Sequence, residues 1–471
     1  MKKTFLIIIL FTNSFAVFAQ EIYEKPVVDE RVELMSTVFR LAGNMEYHSG
    51  YIQMYINEVD KYFEKYKNHP LIEFSKTLRN EYGVSYDAVA VFSVFLEIKN
   101  GKIDFNKNLK IENLDDRWQQ DSIPKYIKLL NDFYKKTKFH DFFLKNEKIR
   151  KTAEENFAKE ITDKVDFNWF KSFFRVLPKK KFRIIISLLN GGSNYGLTLV
   201  HKDGSEEFYA IIGSSKTDKN GFPIYEDKNE TVINTLIHEI CHSFCNPSVF
   251  EYLNELLPQA TIFYQLNQEK LQKMAYIRPE SFLYEIFVRA CVLQYNKDQH
   301  KYDDFTLVQE VNNGFLWVPQ LLEILEKYKN NTNYKTFNDF MPEIVKLQNS
   351  IVPQELYDEI EKQKPTITST NIPNNCDSVD YNLDHIIVYF DTPMIIEHWG
   401  MVSGKEEYDY PEFINFKWND NRTELKIYLL KLEPDTKYQI EFPNFSFVGS
   451  NYFQLKNTYT LTFKTRKNFV Q

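Results

Sequence analysis

Hydrophobic and polar positions follow several different periods along this chain. From Val27 to about Asp166, apolar residues recur at helical spacing, as in RVELMSTVFRLAG and YIQMYINEVDKYFEKY, with Pro and Gly at the breaks. From Phe182 the chain shows short β-rich runs, FRIIISLL, NYGLTLV and EFYAIIG, which are separated by the turn-forming clusters NGGS and HKDGS. The pattern therefore predicts a mainly helical region followed by three strands.

Two further changes of period follow. Helical spacing returns at about Glu230 and continues, with breaks, to about Glu361. After KQKP at 362–365 come five strand-like runs at the spacing of a β-sandwich: HIIVYFD, FINFKW, ELKIYLL, KYQIEF and TYTLTFK. We therefore expect an α+β chain with a mainly helical region over 20–180, a second region over 181–361 and an all-β sandwich over 365–471.

The first residues, MKKTFLIIILFTNSFAVFAQ, have the layout of a secretory signal peptide. Two lysines precede an apolar run, and small residues end at Ala19, so cleavage would leave Gln20 as the mature terminus. A membrane anchor is the weaker alternative, because Thr12, Asn13 and Ser14 interrupt a run that is already short for a span. We expect a leader at 1–19 and a secreted, periplasmic or envelope protein.

Composition narrows the classes of partner. The chain has 471 residues, of which 43% are hydrophobic and 26% charged, which suits a globular protein of two or three domains. The formal net charge of −7 gives no broad cationic field, and basic clusters such as PKKKFR at 178–183 are short. We therefore expect no nucleic-acid partner, and no stretch after the leader is apolar enough to span a membrane.

Residues 235–247 read TLIHEICHSFCNP and contain the motif H-E-x-x-H, with His238, Glu239 and His242. Two histidines four residues apart project from one face of a helix, so both can reach one Zn²⁺ ion. At about 100° per residue, apolar side chains fill the arc roughly opposite the histidines; these are Ile233, Leu236, Ile237, Ile240 and Phe244. The motif predicts zinc ligands on a polar helix face, and the alternative is two structural histidines at the surface or core edge.

A catalytic zinc site needs a third protein ligand and an open position for water. SFCNPS follows His242, so the motif has no third histidine. Cys245 lies about 10.5 Å along the helix axis from His238, too far for both to bind one ion. The third ligand must therefore come from another element.

The next strong helix, RPESFLYEIFVRACVLQY at 278–295, is apolar on nearly every side and should be buried. A buried carboxylate needs a strong partner, which makes Glu285 the leading third ligand and Glu280 the alternative. Glu285 could instead form an ion pair with Arg289 four residues later. The two interpretations are compatible if Arg289 orients the ligand.

These parts predict a zinc peptidase acting on a peptide or protein. Zinc polarises water and the scissile carbonyl, and Glu239 accepts the proton of the water as general base. Transition-state donors could be Tyr284, His201 or Arg289, although a structural role is the simpler interpretation of each. The segment GGSNYGLTLV at 191–200 could line the cleft and pair with an extended substrate, or form an ordinary hairpin.

Two other functions stay open. One is an envelope binding protein that has lost activity, although such a scaffold has no need of Glu239. The other is a zinc hydrolase of a non-protein amide, such as a cell-wall peptide.

The four cysteines, Cys241, Cys245, Cys291 and Cys376, do not make a disulfide scaffold in a chain of this size. Cys241 and Cys245 lie on one helix and are poorly disposed to bridge each other. Cys291 could pair with one of them and tie the two ligand helices together, or all could be small buried thiols.

The segments HEICHSFCNP, YEIFVRACVLQY and RVELMSTVFRLAG resemble an uncharacterised family of secreted bacterial zincin-like proteins, a domain of unknown function, over roughly residues 27–350. The resemblance implies a zincin-like metallopeptidase fold for 181–361 and the Glu-zincin pattern, with His238, His242 and Glu285 as ligands and Glu239 as the catalytic residue. HIIVYFDTPM at 385–394 and LEPDTKYQIEF at 432–442 are similar to bacterial Ig-like domains of the SbsA type.

Overall fold

The computed structural model describes residues 23–110, 114–175, 182–225, 231–397 and 399–467, so the predicted leader at 1–19 lies outside the described residues. The described chain is mixed α and β, with a mostly helical N-terminal half and sheets towards the C-terminus. It divides into two compact units. The first takes in the described residues of 1–172 and 176–243, and the second those of 173–175 and 244–471.

The helices are numbered in chain order. Helices α1 to α8 span Glu30–Leu41, Gln53–Phe63, Pro70–Tyr82, Asp87–Phe95, Ile123–Thr137, Phe139–Lys145, Glu147–Glu160 and Phe167–Phe174. Helices α9 to α16 span Thr231–Glu251, Leu253–Leu266, Gln268–Lys273, Pro279–Asp298, Asp304–Asn312, Val318–Asn330, Phe337–Ser350 and Pro353–Gln363. The helical stretch predicted from about Glu230 to about Glu361 is therefore confirmed.

The strands are numbered in the same way. Strands β1 to β6 span Val27–Val28, Leu96–Lys99, Lys102–Phe105, Phe182–Ser187, Tyr195–Val200 and Glu206–Gly213. Strands β7 to β14 span Ile367–Thr370, Cys376–Val379, His385–Phe390, Val402–Ser403, Phe413–Trp418, Glu424–Leu429, Lys437–Phe442 and Tyr459–Thr465. The three strands predicted after Phe182 and the five predicted after 365 are all present.

The first unit contains a four-stranded sheet with the order β1-β4-β6-β5. Strand β4 runs parallel to β1 and β6, whereas β5 is antiparallel to β6 and forms an edge of the sheet. Strand β4 is buried at nearly every position, as expected for the middle of a covered sheet. Strand β5 is half-buried along most of its length, which suits an edge position.

Two β elements interrupt the mainly helical region that the pattern predicted from Val27 to about Asp166. Strand β1 has two residues and pairs with β4, which lies far along the chain. The hairpin β2–β3 turns at Asn100 and Gly101, whose φ angles are both positive, at 51° and 71°. Positive φ at both turn residues matches the two-residue type I′ turn that Asn-Gly favours, and this turn interrupts the helical stretch.

Helix α12 forms the centre of the helical part of the second unit, where it packs against α10 and α14. Pro279 opens this helix at a position where a missing N–H costs nothing. Its apolar side chains are buried as predicted; they include Phe282, Leu283, Ile286, Phe287, Val288, Ala290 and Leu293. Few polar or charged side chains of α12 therefore remain as candidates for a chemical role.

The second unit also holds two four-stranded sheets, with the orders β10-β13-β14-β8 and β11-β12-β9-β7. Burial alternates along β9 and β12, which is the pattern of strands with one face on a core. Buried residues of both sheets form one hydrophobic cluster, which includes Val388, Ile427, Ile440 and Leu461. The sequence did not predict β7, β8 and β10, which are four residues long or shorter.

The residues that the structure describes include no helix with both the length and the hydropathy of a membrane span. The domain bounds at 20–180, 181–361 and 365–471 stay predictions.

Candidate metal centre

Helix α9 carries the H-E-x-x-H motif in the middle of its 21 residues. The apolar arc predicted opposite the histidines is buried, with exposed fractions of 7% or less; it comprises Ile233, Leu236, Ile237, Ile240 and Phe244. His238 and His242 are half-buried on the other side, and Glu239 is 9% exposed. The amphipathic pattern of the sequence therefore directs both imidazoles away from the apolar arc.

The two histidine rings approach each other through their Nε2 atoms, which are 3.2 Å apart. The ring centroids are 4.8 Å apart and the ring planes meet at 83°. Two nitrogen ligands at about 2.0–2.1 Å from one ion lie about 3.3–3.4 Å apart when the coordination is tetrahedral. The separation thus suits two ligands of one ion, and it also suits a hydrogen bond in which one ring donates to the other.

Glu285 on α12 joins the two histidines. His238, His242 and Glu285 each offer one ligand atom, and these atoms all lie within 4.8 Å of one another. This is the one group of three or more such residues among the described parts of the chain that could hold a metal ion, and Glu280 is not part of it. Of the two carboxylates that the sequence left open, Glu285 is the one beside the imidazoles.

Glu285 is held by a polar network within the second unit. The hydroxyl of Tyr276 donates a hydrogen bond of 3.0 Å to Glu285 Oε2. Arg289 Nε lies 3.5 Å from the same oxygen. Arg289 Nη2 donates to the Tyr276 hydroxyl at 3.0 Å, and Arg289 Nη1 donates to Glu310 Oε2 at 2.7 Å.

These distances bear on the two roles that the sequence left open for Glu285, which are metal ligand and ion-pair partner of Arg289. Its close ion pair is with Glu310 at 2.7 Å, whereas Glu285 lies at 3.5 Å. The predicted i,i+4 contact therefore exists, but Arg289 takes its main negative partner from α13. Glu310 balances the charge of Arg289, so Glu285 can serve as a ligand while Arg289 orients it.

The electrostatics of this network favour an ionised Arg289 and a neutral Tyr276. Burial alone would lower the pKa of Arg289, but Glu310, Tyr276 and Glu285 hold it above its usual range. Burial, followed by the negative charge of Glu285, raises the pKa of Tyr276 to about 12. Tyr276 thus keeps its proton at neutral pH and can donate it in a hydrogen bond to the carboxylate.

Glu239 lies against strand β5. A Cβ atom added to Gly196 would stand 2.4 Å from the Glu239 carbonyl oxygen and 2.9 Å from Glu239 Oε2. Since real Cβ atoms do not approach other atoms so closely, the contact exists only because residue 196 is glycine. The edge strand of the sheet therefore lies directly beside the acidic residue of the motif.

The three side chains considered as transition-state donors have different surroundings. His201 follows β5, with Nε2 3.5 Å from Glu207, and it lies about 17 Å along the strand direction from Gly196. Tyr284 precedes Glu285 on α12, and burial followed by the charge of Glu280 raises its pKa. Arg289 is engaged with Glu310 and Tyr276. Of the three candidate donors, Tyr284 and Arg289 therefore lie on the same helix as Glu285, whereas His201 lies just after β5.

Sequence reasoning missed Tyr276, Glu310 and Gly196. Tyr276 lies in the loop before α12 and Glu310 on α13, and neither position carries a local signal of its role. Gly196 does carry one, because a glycine inside a strand pattern often marks a close approach of another backbone. The strand run NYGLTLV contains this glycine.

The chain was compared with protein families, curated proteins and solved structures. No curated protein matches this chain in sequence. Among solved structures, the chain is similar to the crystal structure of the S-layer protein rSbsC(31-844), at 12% sequence identity over 49% of this chain and 33% of that chain, with a TM-score of 0.18. The chain thus matches about a third of that protein, and a TM-score this low does not indicate a shared fold.

The described parts of 26–347 include α9 and α12, and therefore every residue of the cluster. Residues 26–347 match the family described as a domain of unknown function, DUF4932, and the chain belongs to this family.

Proposed function

We propose that this protein is a zinc-dependent metallopeptidase. His238, His242 and Glu285 are the ligands, and Glu239 is the general base. The observation that carries the proposal is the convergence of two imidazoles and a carboxylate within 4.8 Å, with Glu239 between the two histidines in the motif. Two nitrogen donors and one oxygen donor suit zinc, and catalytic zinc sites have three protein ligands and a position for water.

The chemistry divides between the ion and the side chains. Zinc, when bound, supplies Lewis acidity that lowers the pKa of water and polarises a carbonyl. Glu239 accepts the proton of the attacking water and delivers it to the leaving nitrogen. Tyr276 and Arg289 hold one oxygen of Glu285 and so fix the direction of this carboxylate.

The position of β5 supports an extended peptide as the substrate. This strand is at the edge of its sheet, and at Gly196 it contacts Glu239. An extended peptide that pairs with a sheet edge presents its carbonyl groups at regular spacing. A substrate added beside β5 brings one peptide bond close to the general base. Towards the other end of the strand, the backbone N–H of Lys110 donates to the carbonyl of Val200, so part of the edge is covered.

The architecture around this site is proposed to be a zincin-like catalytic region. The support is the combination of a mixed sheet, an edge strand and a motif helix that contacts this strand through Glu239. The sheets after 365 are proposed to form an Ig-like sandwich that serves spacing or attachment. Their shared core supports this proposal, and the metal-type cluster lies elsewhere. With a leader at 1–19, the enzyme acts outside the cytoplasm or in the envelope.

Hydrolysis by the wild type and by Glu239→Gln tests the function. Both proteins are loaded with zinc and incubated with a denatured protein, a mixed peptide library and a cell-wall peptide, and new amino termini are quantified. The variant keeps its ligands but lacks the proton acceptor, so zinc content should be equal and cleavage should fall by at least about a hundredfold. Equal cleavage by both proteins, or no cleavage by the zinc-loaded wild type, would contradict the proposal.

A further inference from the structure

Helices α9 and α12 contact each other through a pair of thiols. The Sγ atoms of Cys245 on α9 and Cys291 on α12 are 3.6 Å apart, and the two residues are 46 positions apart in sequence. Both side chains have an exposed fraction of 0% and both belong to the second unit. The sequence left open whether Cys291 faces Cys241 or Cys245. In the structure, the sulfur of Cys245 contacts the sulfur of Cys291.

The two sulfur atoms are in contact but are not bonded. A disulfide joins two sulfur atoms at about 2.05 Å, so the pair needs to approach by about 1.5 Å from its separation of 3.6 Å. Each thiol comes from a different helix, and the bond would close a loop through α10 and α11. Closing a loop of this length restricts the unfolded chain and stabilises the folded one.

The thiol pair also lies near the proposed ligands. Cys245 follows His242 by three residues and Cys291 follows Glu285 by six, on the same two helices. At 1.5 Å per residue these steps correspond to about 4.5 Å and about 9 Å along the helix axes. A bond between the sulfurs would therefore fasten the helices within two turns of the ligands that each helix carries.

We propose that Cys245 and Cys291 form an intramolecular disulfide when the chain folds in the presence of an oxidant, and that this bond clamps α9 to α12. Two S–H bonds break and one S–S bond forms. The two electrons and the two protons pass to the oxidant, a small-molecule disulfide such as oxidised glutathione, whose S–S bond breaks to give two thiols. The exchange takes place as the chain folds, because both sulfurs are buried afterwards.

The formation of this bond is independent of the proposed function, and its effect on the metal rests on that function. The predicted leader suits the chemistry, because disulfides persist in secreted and periplasmic proteins. Cys376 provides a matched control. It lies in β8, is partly exposed, and has its Sγ 4.0 Å from the Ser378 hydroxyl.

Mass spectrometry tests the bond. The full chain is refolded in reduced and oxidised glutathione, denatured, alkylated with iodoacetamide and digested without reductant. We expect two alkylated cysteines and one linked peptide pair that joins Cys245 to Cys291. The pair should persist in Cys376→Ser and disappear in Cys245→Ser. Four alkylated cysteines in the refolded wild type, or a link through Cys241, would overturn the proposal.

Metal release tests the clamp and needs no variant. The wild type is refolded either in the glutathione mixture or with a phosphine present throughout, each form is loaded with zinc, and both are exposed to EDTA. The oxidised form should lose zinc more slowly by about tenfold, because the two ligand helices cannot separate. Equal rates in the two redox states would refute the clamp. A chain that is linked but binds no zinc in either state would refute the proposed function and the clamp, and leave the disulfide standing.

Discussion

The Cα atom of Gly196 faces the backbone of Glu239 so closely that a Cβ at this position would lie 2.4 Å from the Glu239 carbonyl oxygen. The same Cβ would lie 2.9 Å from Glu239 Oε2. One residue of an edge strand thus sets how near the strand can come to the acidic residue of the motif. The backbone carbonyl cannot swing aside as a flexible side chain would, so the helix or the strand must move if residue 196 gains a side chain.

Gly196→Ala should therefore lower catalysis and leave the metal in place. The added methyl group displaces Glu239 relative to β5, whereas the histidines remain on the same helix. We expect kcat/KM to fall by about a hundredfold, since a displacement of about 1 Å in an active site can cost that much. Zinc content should stay near that of the wild type.

Gly192→Ala is the matched control for this change. A Cβ at Gly192 meets no atom within 4 Å, so the substitution should leave both activity and zinc content unchanged. Equal activity in Gly196→Ala and Gly192→Ala would show that the approach of β5 to Glu239 is not needed for hydrolysis.

Glu285→Gln should weaken zinc binding, because an ionised carboxylate oxygen is a much better zinc ligand than an amide oxygen. Glu280→Gln removes a carboxylate from the same helix outside the cluster, and zinc should then be retained. The measurement is zinc stoichiometry under increasing concentrations of a competing chelator. Zinc retained in Glu285→Gln and lost in Glu280→Gln would move the third ligand to the first turn of α12.

Tyr276→Phe removes the hydrogen bond of 3.0 Å to Glu285 Oε2 and retains the ring. The carboxylate then loses one of the contacts that fix its direction, and zinc affinity should fall by about tenfold. Tyr302→Phe serves as control, because it removes a similar bond of 3.1 Å to Asp304 outside the cluster. Titration of cobalt in place of zinc, followed by the visible absorption of the ion, gives the affinity of each variant. An unchanged zinc affinity in Tyr276→Phe would show that the hydroxyl of Tyr276 does not help to position Glu285.

Glu33 predicts a pH dependence of stability that is separate from the metal cluster. The side chain is buried on α1, and its Oε1 accepts hydrogen bonds from the backbone N–H of Leu188 at 2.9 Å and from the Ser187 hydroxyl at 3.4 Å. Burial raises the pKa of Glu33 to about 7, although these hydrogen bonds, one from Tyr55 and the charge of Arg150 act in the opposite direction. The unfolded chain has a pKa of about 4.3 at this residue.

The direction in which pH changes the stability follows from proton binding at Glu33. Between about pH 4.3 and about pH 7 the folded state binds more protons at this residue than the unfolded state. The free energy of unfolding therefore falls as pH rises, by up to about 4 kcal/mol. Glu33→Gln is neutral at every pH and lacks this loss. The Tm of the variant should therefore rise relative to that of the wild type as the pH increases from about 5 to about 8. A Tm difference that is constant over this range would contradict the raised pKa.

The sequence predicted the elements whose periodicity is local and long enough to be distinctive. The face of α9 could be placed because Ile233, Ile240 and Phe244 repeat at helical spacing opposite His238 and His242. The choice between Glu280 and Glu285 depends on how α12 packs, and no local pattern contains that information. Strand β1 depends likewise on a partner strand far along the chain. The Asn100–Gly101 turn, by contrast, was predictable, because Asn-Gly favours a two-residue hairpin turn. The prediction did not include this hairpin, because the sequence on both sides of it has helical periodicity.

Zinc stoichiometry of the purified chain tests the central claim most directly. After dialysis, elemental analysis should find about one zinc per wild-type molecule and per His201→Ala molecule, since His201 is not part of the cluster. His238→Ala and His242→Ala, each shown to be folded by circular dichroism, should hold far less. Zinc content that is unchanged in both variants, or a folded wild type that binds no zinc, would contradict a metal centre built from His238, His242 and Glu285.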